Sequence, residues 1–330
     1  MAPAAPRHRT ALCLTPDRAW FPAAVFAAAQ VLAQPDAGAL DVFIVGTLRD
    51  MAPEFFALPD DLRGRIHLLA ADFDRLDTAV PGVAGLVLRR LFLDAVLPPD
   101  YTRIVTMDAD MLVIAPGLAR LAEIDSKGAP LAAATDMIFL KQFGGGALAE
   151  RFSAYRAGLG LAPQTPYFNA GLMVIDRAAF AHEKLGERTL EFLRANRGLC
   201  RFAEQSALNA LLQGRAAPLS PRYNFMGDFF LLGLMQEIAP TVLHFVNRPK
   251  PWEGVSGFGG AEFARIYRDW FDASPWPGFG RGAAEISDAA GSDIADVAAF
   301  RRRLMDYLRS QDFADGPLKF LPVPTSHKRL

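Results

Sequence analysis

The chain is poor in cysteine. Two among 330 residues, Cys13 and Cys200, leave no room for a disulfide framework or a cysteine-rich zinc site, and they fit a reducing compartment. It also lacks an excess of either charge: 35 Lys+Arg stand against 36 Asp+Glu, a net charge of −1. A surface built to neutralise a nucleic-acid backbone needs a basic surplus, so no nucleic-acid partner is expected. Long apolar runs are missing too. The most apolar stretch, Ala19 to Ala33, contains Pro22 and Gln30 and is shorter than the roughly 20 residues of a spanning helix. The apolar run before Thr15-Pro16-Asp17 is too short for a signal-peptide core. The expectation is a cytoplasmic protein. Neither G-x-S-x-G nor a Walker G-x-x-x-x-G-K-[ST] occurs, which removes two common nucleophile and phosphate devices.

What is present is 51% hydrophobic residues, ample for a large core and too many for a disordered chain. Strand-like runs occur at Ala11–Leu14, Asp41–Gly46, Arg65–Ala70, Arg103–Met107, Leu131–Thr135, Phe168–Asp176 and Thr241–Phe245. Helical patterns fall between them, at Phe21–Ala33, Val83–Leu97, Ala147–Gly158, Arg177–Ala195 and Ala203–Gln213. Strands alternating with helices predict an α/β fold with a mostly parallel central sheet. After Trp252 the texture changes to glycine clusters and a Trp/Pro/Gly-rich stretch, with a helical candidate near Ile294–Ser310. The expected division is a catalytic domain over 10–254 and a partly helical C-terminal extension over 255–330.

Four places could carry chemistry. Asp108-Ala109-Asp110 follows an apolar strand, and strand residues two apart point to one side. Two carboxylates so placed suit a hard divalent ion bridging to phosphate oxygens, although aspartate is also common in solvated turns. His244 ends an apolar run and could be a third ligand or an ordinary part-buried imidazole; Lys250 could face a phosphate or simply the solvent. Tyr167-Phe168-Asn169-Ala170-Gly171 offers an amide beside small residues that permit close backbone approach, or only a glycine bulge in a strand. Glu204-Gln205 opens a helix, where the pair could bind sugar hydroxyls or merely complement the helix dipole.

The order of these pieces is more specific than any one of them. Thr15-Pro16-Asp17-Arg18-Ala19-Trp20, Arg90 on its helix, Ile104 to Asp110, Asp136, Phe168-Asn169-Ala170-Gly171, Glu204-Gln205-Ser206-Ala207-Leu208-Asn209, Arg222-Tyr223-Asn224 and His244 to Trp252 follow one another along the chain. Over roughly residues 10–254 this series resembles glycosyltransferase family 8, the retaining enzymes that include lipopolysaccharide galactosyl- and glucosyltransferases and glycogenin. The resemblance implies a glycosyltransferase A, Rossmann-like nucleotide-binding fold. It implies Mn²⁺, or Mg²⁺, held by Asp108, Asp110 and His244 against the diphosphate of a UDP-sugar. It puts Lys250 at the diphosphate and Thr15 and Asp17 at the uridine. Arg90, Asn169, Ala170, Asp136 and Glu204 would address the donor sugar or the acceptor, and Gln205 would lie beside the anomeric carbon. The implied reaction moves a hexose from UDP-glucose or UDP-galactose to a saccharide acceptor.

Two positions depart from the family pattern. Glu204 stands where Asp is usual, and Asn247 where Gly is usual. They motivate the alternative of a nucleotide-sugar-binding protein with lost or weak transfer. A metal-dependent nucleotidyltransferase is a further alternative, but it has no use for the F-N-A-G and H…K-P-W blocks. Finally, the last 30 residues carry seven Lys/Arg against three Asp. Phe300-Arg301-Arg302-Arg303-Leu304 and Lys319-Phe320-Leu321 could rest on the inner face of an anionic membrane, near a lipid-linked acceptor, or form a helix packed on the domain.

Overall fold

The computed structural model describes residues 9–253, 260–281 and 296–318. Ten strands and, among the described residues, seven α-helices of six or more residues carry the fold. The strands are β1 (Arg9–Leu14), β2 (Asp41–Gly46), β3 (Ile66–Ala70), β4 (Tyr101–Met107), β5 (Met111–Val113), β6 (Leu131–Thr135), β7 (Phe168–Asp176), β8 (Ala217–Leu219), β9 (Phe225–Met226) and β10 (Val242–His244). The helices are α1 (Phe21–Leu32), α2 (Gly146–Gly158), α3 (Arg177–His182), α4 (Leu185–Ala195), α5 (Ala203–Leu212), α6 (Gly260–Asp272) and α7 (Val297–Ser310).

Seven strands form one sheet in the order β3-β2-β1-β4-β7-β6-β8. Every neighbouring pair is parallel except those of β7, which runs antiparallel to both β4 and β6. The mostly parallel sheet is therefore present, with one reversed strand, the fifth of seven. Helices cover both faces, so successive strand residues enter opposite cores. Ala11, Cys13, Phe43, Val45, Ile104 and Met173 face one core, while Leu12, Leu14, Val42, Ile44, Val105 and Val174 face the other. This double burial is why the strands read as continuous apolar runs.

A second, three-stranded sheet has the order β5-β10-β9. It is short and close to the site, because β5 begins directly after Asp110 and β10 ends at His244.

Helix α1 carries Pro22 in its first turn, where a missing N–H costs nothing, and is buried almost all round. Its outer side meets α6: the Phe26 ring lies 4.3 Å from that of Tyr267 and 5.3 Å from that of Trp270. Residues after 254 thus pack on the first helix of the chain. Helix α7 is N-capped by Asp296, whose carboxylate accepts from Ala299 N at 2.8 Å. Ala299, Phe300, Leu304, Met305 and Leu308 are buried, and Tyr307 packs against Phe139 and Phe143. The apolar face of α7 is therefore turned to the protein body, not to a membrane. The expected basic-apolar segment Lys319-Phe320-Leu321, the basic start of the chain and the glycines 254–259 lie outside the described residues.

Two helices differ from expectation. Val83–Leu97 is not one helix but an α-turn at Gly85–Leu88, a 3-10 turn at Arg89–Phe92 and a second α-turn at Leu93–Val96. The tighter middle turn accommodates two consecutive arginines that are both buried. Arg89 donates to Pro16 O at 2.6 Å and pairs with Asp50 at 3.0 Å, while Arg90 turns to the site. Arg177–Ala195 divides at Lys184, which takes a left-handed backbone at φ 50°.

Candidate active site

Strand register assembles the site. Met107 pairs with Leu172 across β4 and β7, and Asp108 N donates to Gly171 O at 2.8 Å, which sets Gly171 beside the first aspartate. Thr135 pairs with Phe168, and Asp136 N donates to Tyr167 O at 2.8 Å, so Asp136 lands next to Asn169. In the small sheet His244 pairs with Met111 and with Met226, and Phe245 N donates to Asp110 O at 3.0 Å. Distant segments meet at the carboxyl ends of β4, β6 and β10 and the amino end of the reversed β7, the edge of the sheet where open α/β folds bind ligands.

Asp108 and Asp110 are not on a strand. β4 ends at Met107, and the two residues form a turn closed by Met111 N donating to Asp108 O at 3.3 Å. The convergence expected from strand alternation comes instead from this turn between β4 and β5. Asp108, Asp110 and His244 offer ligand atoms within 4.8 Å of one another. His244 Nε2 lies 3.4 Å from an Asp110 oxygen and 3.8 Å from an Asp108 oxygen. Gly171 makes room for the imidazole, since a Cβ there would sit 2.4 Å from His244 Cε1 and 2.9 Å from Nδ1. The small residue thus serves close approach by a protein side chain. Two carboxylates and one imidazole suit a divalent ion of the Mn²⁺ kind, with the imidazole favouring it over Mg²⁺.

Beside the triad is a cavity of about 270 Å³ whose lining includes Arg90, Asn169, Ala170, Gly171, Glu204 and Gln205 together with Asp108, Asp110 and His244. Thr15, Asp17, Asp136 and Lys250 do not line it. Thr15 and Asp17 follow β1, where Asp17 accepts from Trp20 N at 2.9 Å. Asp136 lies buried behind the wall: Ile138 N, Asn169 Nδ2 and Gln205 Nε2 donate to it at 2.7, 2.7 and 3.3 Å. Burial raises its carboxyl above the usual range despite these donors.

Lys250 is buried with its donors taken. Its Nζ bonds Asp110 at 2.6 Å, Phe245 O at 2.6 Å and Val246 O at 3.1 Å. Burial alone would push the Asp110 carboxyl up, but His244 and Lys250 outweigh it and hold the group below the carboxylate range. Arg90 bridges the two sides of the cavity. It donates to Asp108 at 2.5 Å and to Ala170 O at 2.7 Å, and its Nε is 3.7 Å from Glu204. Burial pushes Glu204 up to about 7, against the pull of Arg90. Gln205 is tied at both ends, accepting from Ala170 N at 2.9 Å and donating to Asp136.

Helix α5 starts at Ala203 with φ 43°, a left-handed backbone costly for alanine, and that turn delivers Ala203, Glu204 and Gln205 to the cavity wall. The residues that sequence reasoning did not single out are Val87, Phe202, Ala203 and Val246, which complete the lining, and Asn224, which holds His244. Asn224 sits in a visible R-Y-N block, but its contact partners are 20 and 55 residues away.

The chain spans about half the length of the curated relatives it matches. GlyF of Streptococcus pneumoniae serotype 4 is 25% identical over 243 residues, covering 70% of this chain and 54% of that protein. The lipopolysaccharide 1,2-glucosyltransferase of Escherichia coli K12 is 23% identical over 159 residues, covering 46% and 43%. Among solved structures, the galactosyltransferase LgtC in complex with donor and acceptor sugar analogs superposes with a TM-score of 0.64 at 18% identity, covering 78% of this chain and 94% of that one. That likeness shows a shared glycosyltransferase A fold. The model of the family named Glycosyl transferase family 8 matches residues 81–255, a stretch that contains the acidic turn, the F-N-A-G strand, Glu204-Gln205 and His244, and this chain belongs to that family.

Proposed function

We propose that the chain is a retaining hexosyltransferase that uses a UDP-sugar, with Mn²⁺ held by Asp108, Asp110 and His244. The observation that carries this reading is the convergence of those three ligands, within 4.8 Å, on the wall of a cavity faced by Glu204 and Gln205. When bound, the ion would supply Lewis-acid stabilisation of the negative charge that develops on the departing diphosphate. UDP-glucose and UDP-galactose are the donors proposed, and a saccharide is the acceptor.

The chain's own residues would do the following. Asp110, directly before β5, and His244, at the end of β10, would present ligand atoms from either side of the β5–β10 pairing. Lys250 keeps a positive charge against Asp110 and, on exchanging its Phe245 or Val246 carbonyl for a phosphate oxygen, could meet the diphosphate. Arg90 fixes Asp108 and the Ala170 carbonyl, so the floor under the sugar stays in place. Glu204, near 7, can accept or give up a proton around neutrality beside the sugar hydroxyls.

Gln205 is a poor nucleophile, and its carbonyl oxygen already accepts from Ala170 N. A front-face reaction, in which the leaving phosphate assists the acceptor hydroxyl, needs no protein nucleophile. Any membrane contact would not use the apolar face of α7, which is engaged. The test is UDP release from UDP-glucose and UDP-galactose with and without Mn²⁺. Metal-dependent release with retained anomeric configuration is expected. No metal-dependent turnover or hydrolysis with either donor would contradict the reading, and a covalent glycosyl adduct on Gln205, Glu204 or Asp136 would contradict the front-face route.

A further inference from the structure

We infer that Asn224 is a positioning residue that fixes the tautomer of His244, holding a proton on Nδ1 so that Nε2 is the nitrogen left to give its lone pair to an ion between it and the two aspartates. The inference rests on the metal reading above for its purpose, but the hydrogen bonds that carry it do not involve a metal.

The direction of the bonds follows from one unambiguous donor. Gly171 N–H points at Asn169 Oδ1 at 2.9 Å, and a backbone N–H can only donate. The other end of the Asn169 amide faces Asp136 Oδ2 at 2.7 Å. Turning the Asn169 amide over would set its NH₂ against the Gly171 N–H and its oxygen against the carboxylate. Its orientation is therefore fixed at both ends.

Asn169 Oδ1 is also 2.8 Å from Asn224 Nδ2, so Asn224 must donate there. The reverse orientation would bring two oxygens to that distance with no hydrogen between them. Asn224 Oδ1 is then the atom that faces His244 Nδ1, at 2.8 Å. An oxygen with no hydrogen can only accept, so Nδ1 must carry the proton. Nε2, on the other side of the ring, is the nitrogen that faces Asp110 and Asp108.

Asn224 and His244 are buried, at 0% and 3% exposure, and Asn169 at 4%, so water does not compete for these bonds. Partners that fix a ligating imidazole in this way typically change metal affinity by about 10- to 100-fold when removed. The demand for glycine at 171 comes from its missing Cβ, which admits the ring, while its N–H, which any residue but proline would supply, sets the direction of the bonds.

The test uses the full chain labelled with ¹⁵N, metal-free, with the pH raised until the His244 nitrogen shifts no longer change. Long-range proton–nitrogen spectra distinguish the tautomers, and the His244 signals are those lost in His244→Gln. A proton on Nδ1 is expected. A proton on Nε2, or both forms in comparable amounts, would overturn the inference in the wild type alone, whatever any variant does. In parallel, Mn²⁺ affinity is measured for wild type and Asn224→Leu, with melting and circular dichroism to show that the variant folds. A loss of about tenfold or more, with the tautomers mixed, is expected. Unchanged affinity in a folded Asn224→Leu would overturn the role of Asn224 while leaving the metal site standing. Failure of the wild type to bind Mn²⁺ would instead sink the metal reading, a different result from a wrong tautomer.

Discussion

Two buried carboxyl groups border the same cavity and are driven in opposite directions. Asp110, on the acidic turn, has an ammonium at 2.6 Å and an imidazole at 3.4 Å, and is held below the carboxylate range. Glu204, at the start of α5, has one guanidinium at 3.7 Å, which it shares with Asp108, and is pushed up to about 7. Burial is common to both, so the difference comes from how many cations are close and how they are shared. On one side of the cavity Asp110 is kept ionised, as the proposed ion requires. The other carries a carboxyl that changes state near neutral pH, beside the place proposed for the sugar.

The largest way to break this contrast is Asp110→Ala. It removes a proposed ligand and leaves the buried Lys250 ammonium without its carboxylate. Metal-dependent UDP release should fall by at least about a hundredfold, and unfolding free energy by roughly 3–5 kcal/mol. Coupled UDP assays and urea denaturation measure the two effects.

Glu204→Gln tests the other wall. A carboxyl raised from 4.5 to about 7 binds its proton more tightly in the folded protein. Its contribution to stability is therefore complete below about pH 4.5 and is lost as pH rises towards about 7. The stability of the wild type relative to Glu204→Gln should drop by about 3 kcal/mol over that window, read from urea midpoints at several pH values. A flat difference would mean that Glu204 stays ionised throughout.

A smaller change sharpens the geometry. In Gly171→Ala the new Cβ meets His244 Cε1 at 2.4 Å, so the ring must move. A loss of roughly 1–3 kcal/mol in stability is expected, with weakened Mn²⁺ binding, by thermal melting and metal titration.

The halves of the fold differed in legibility for physical reasons. β1, β2 and β4 are buried on both faces and read as apolar runs, and the acidic turn stands where β4 stops. The direction of β7 leaves no mark in its composition, since a strand buried on both faces is equally apolar either way. β5, β8 and β9 have three, three and two residues, too few for periodicity to register. Helix α6 lies in the stretch read as a partly helical C-terminal extension, and its Tyr267 and Trp270 pack on Phe26 of α1, a long-range contact that local composition does not encode. At the site, residue types with chemistry were visible one by one. The Asn224 relay was not, because it exists only once β7, β10 and the residue before β9 have brought two amides and one imidazole together.

The most direct measurement is a Mn²⁺ titration, followed by electron paramagnetic resonance in the presence of UDP, of the wild type and of Asp110→Asn. One tight Mn²⁺ site per chain that is lost in the variant is the predicted result. Equal binding by the two proteins, or none by the wild type, would contradict the assignment of the acidic wall as a metal site.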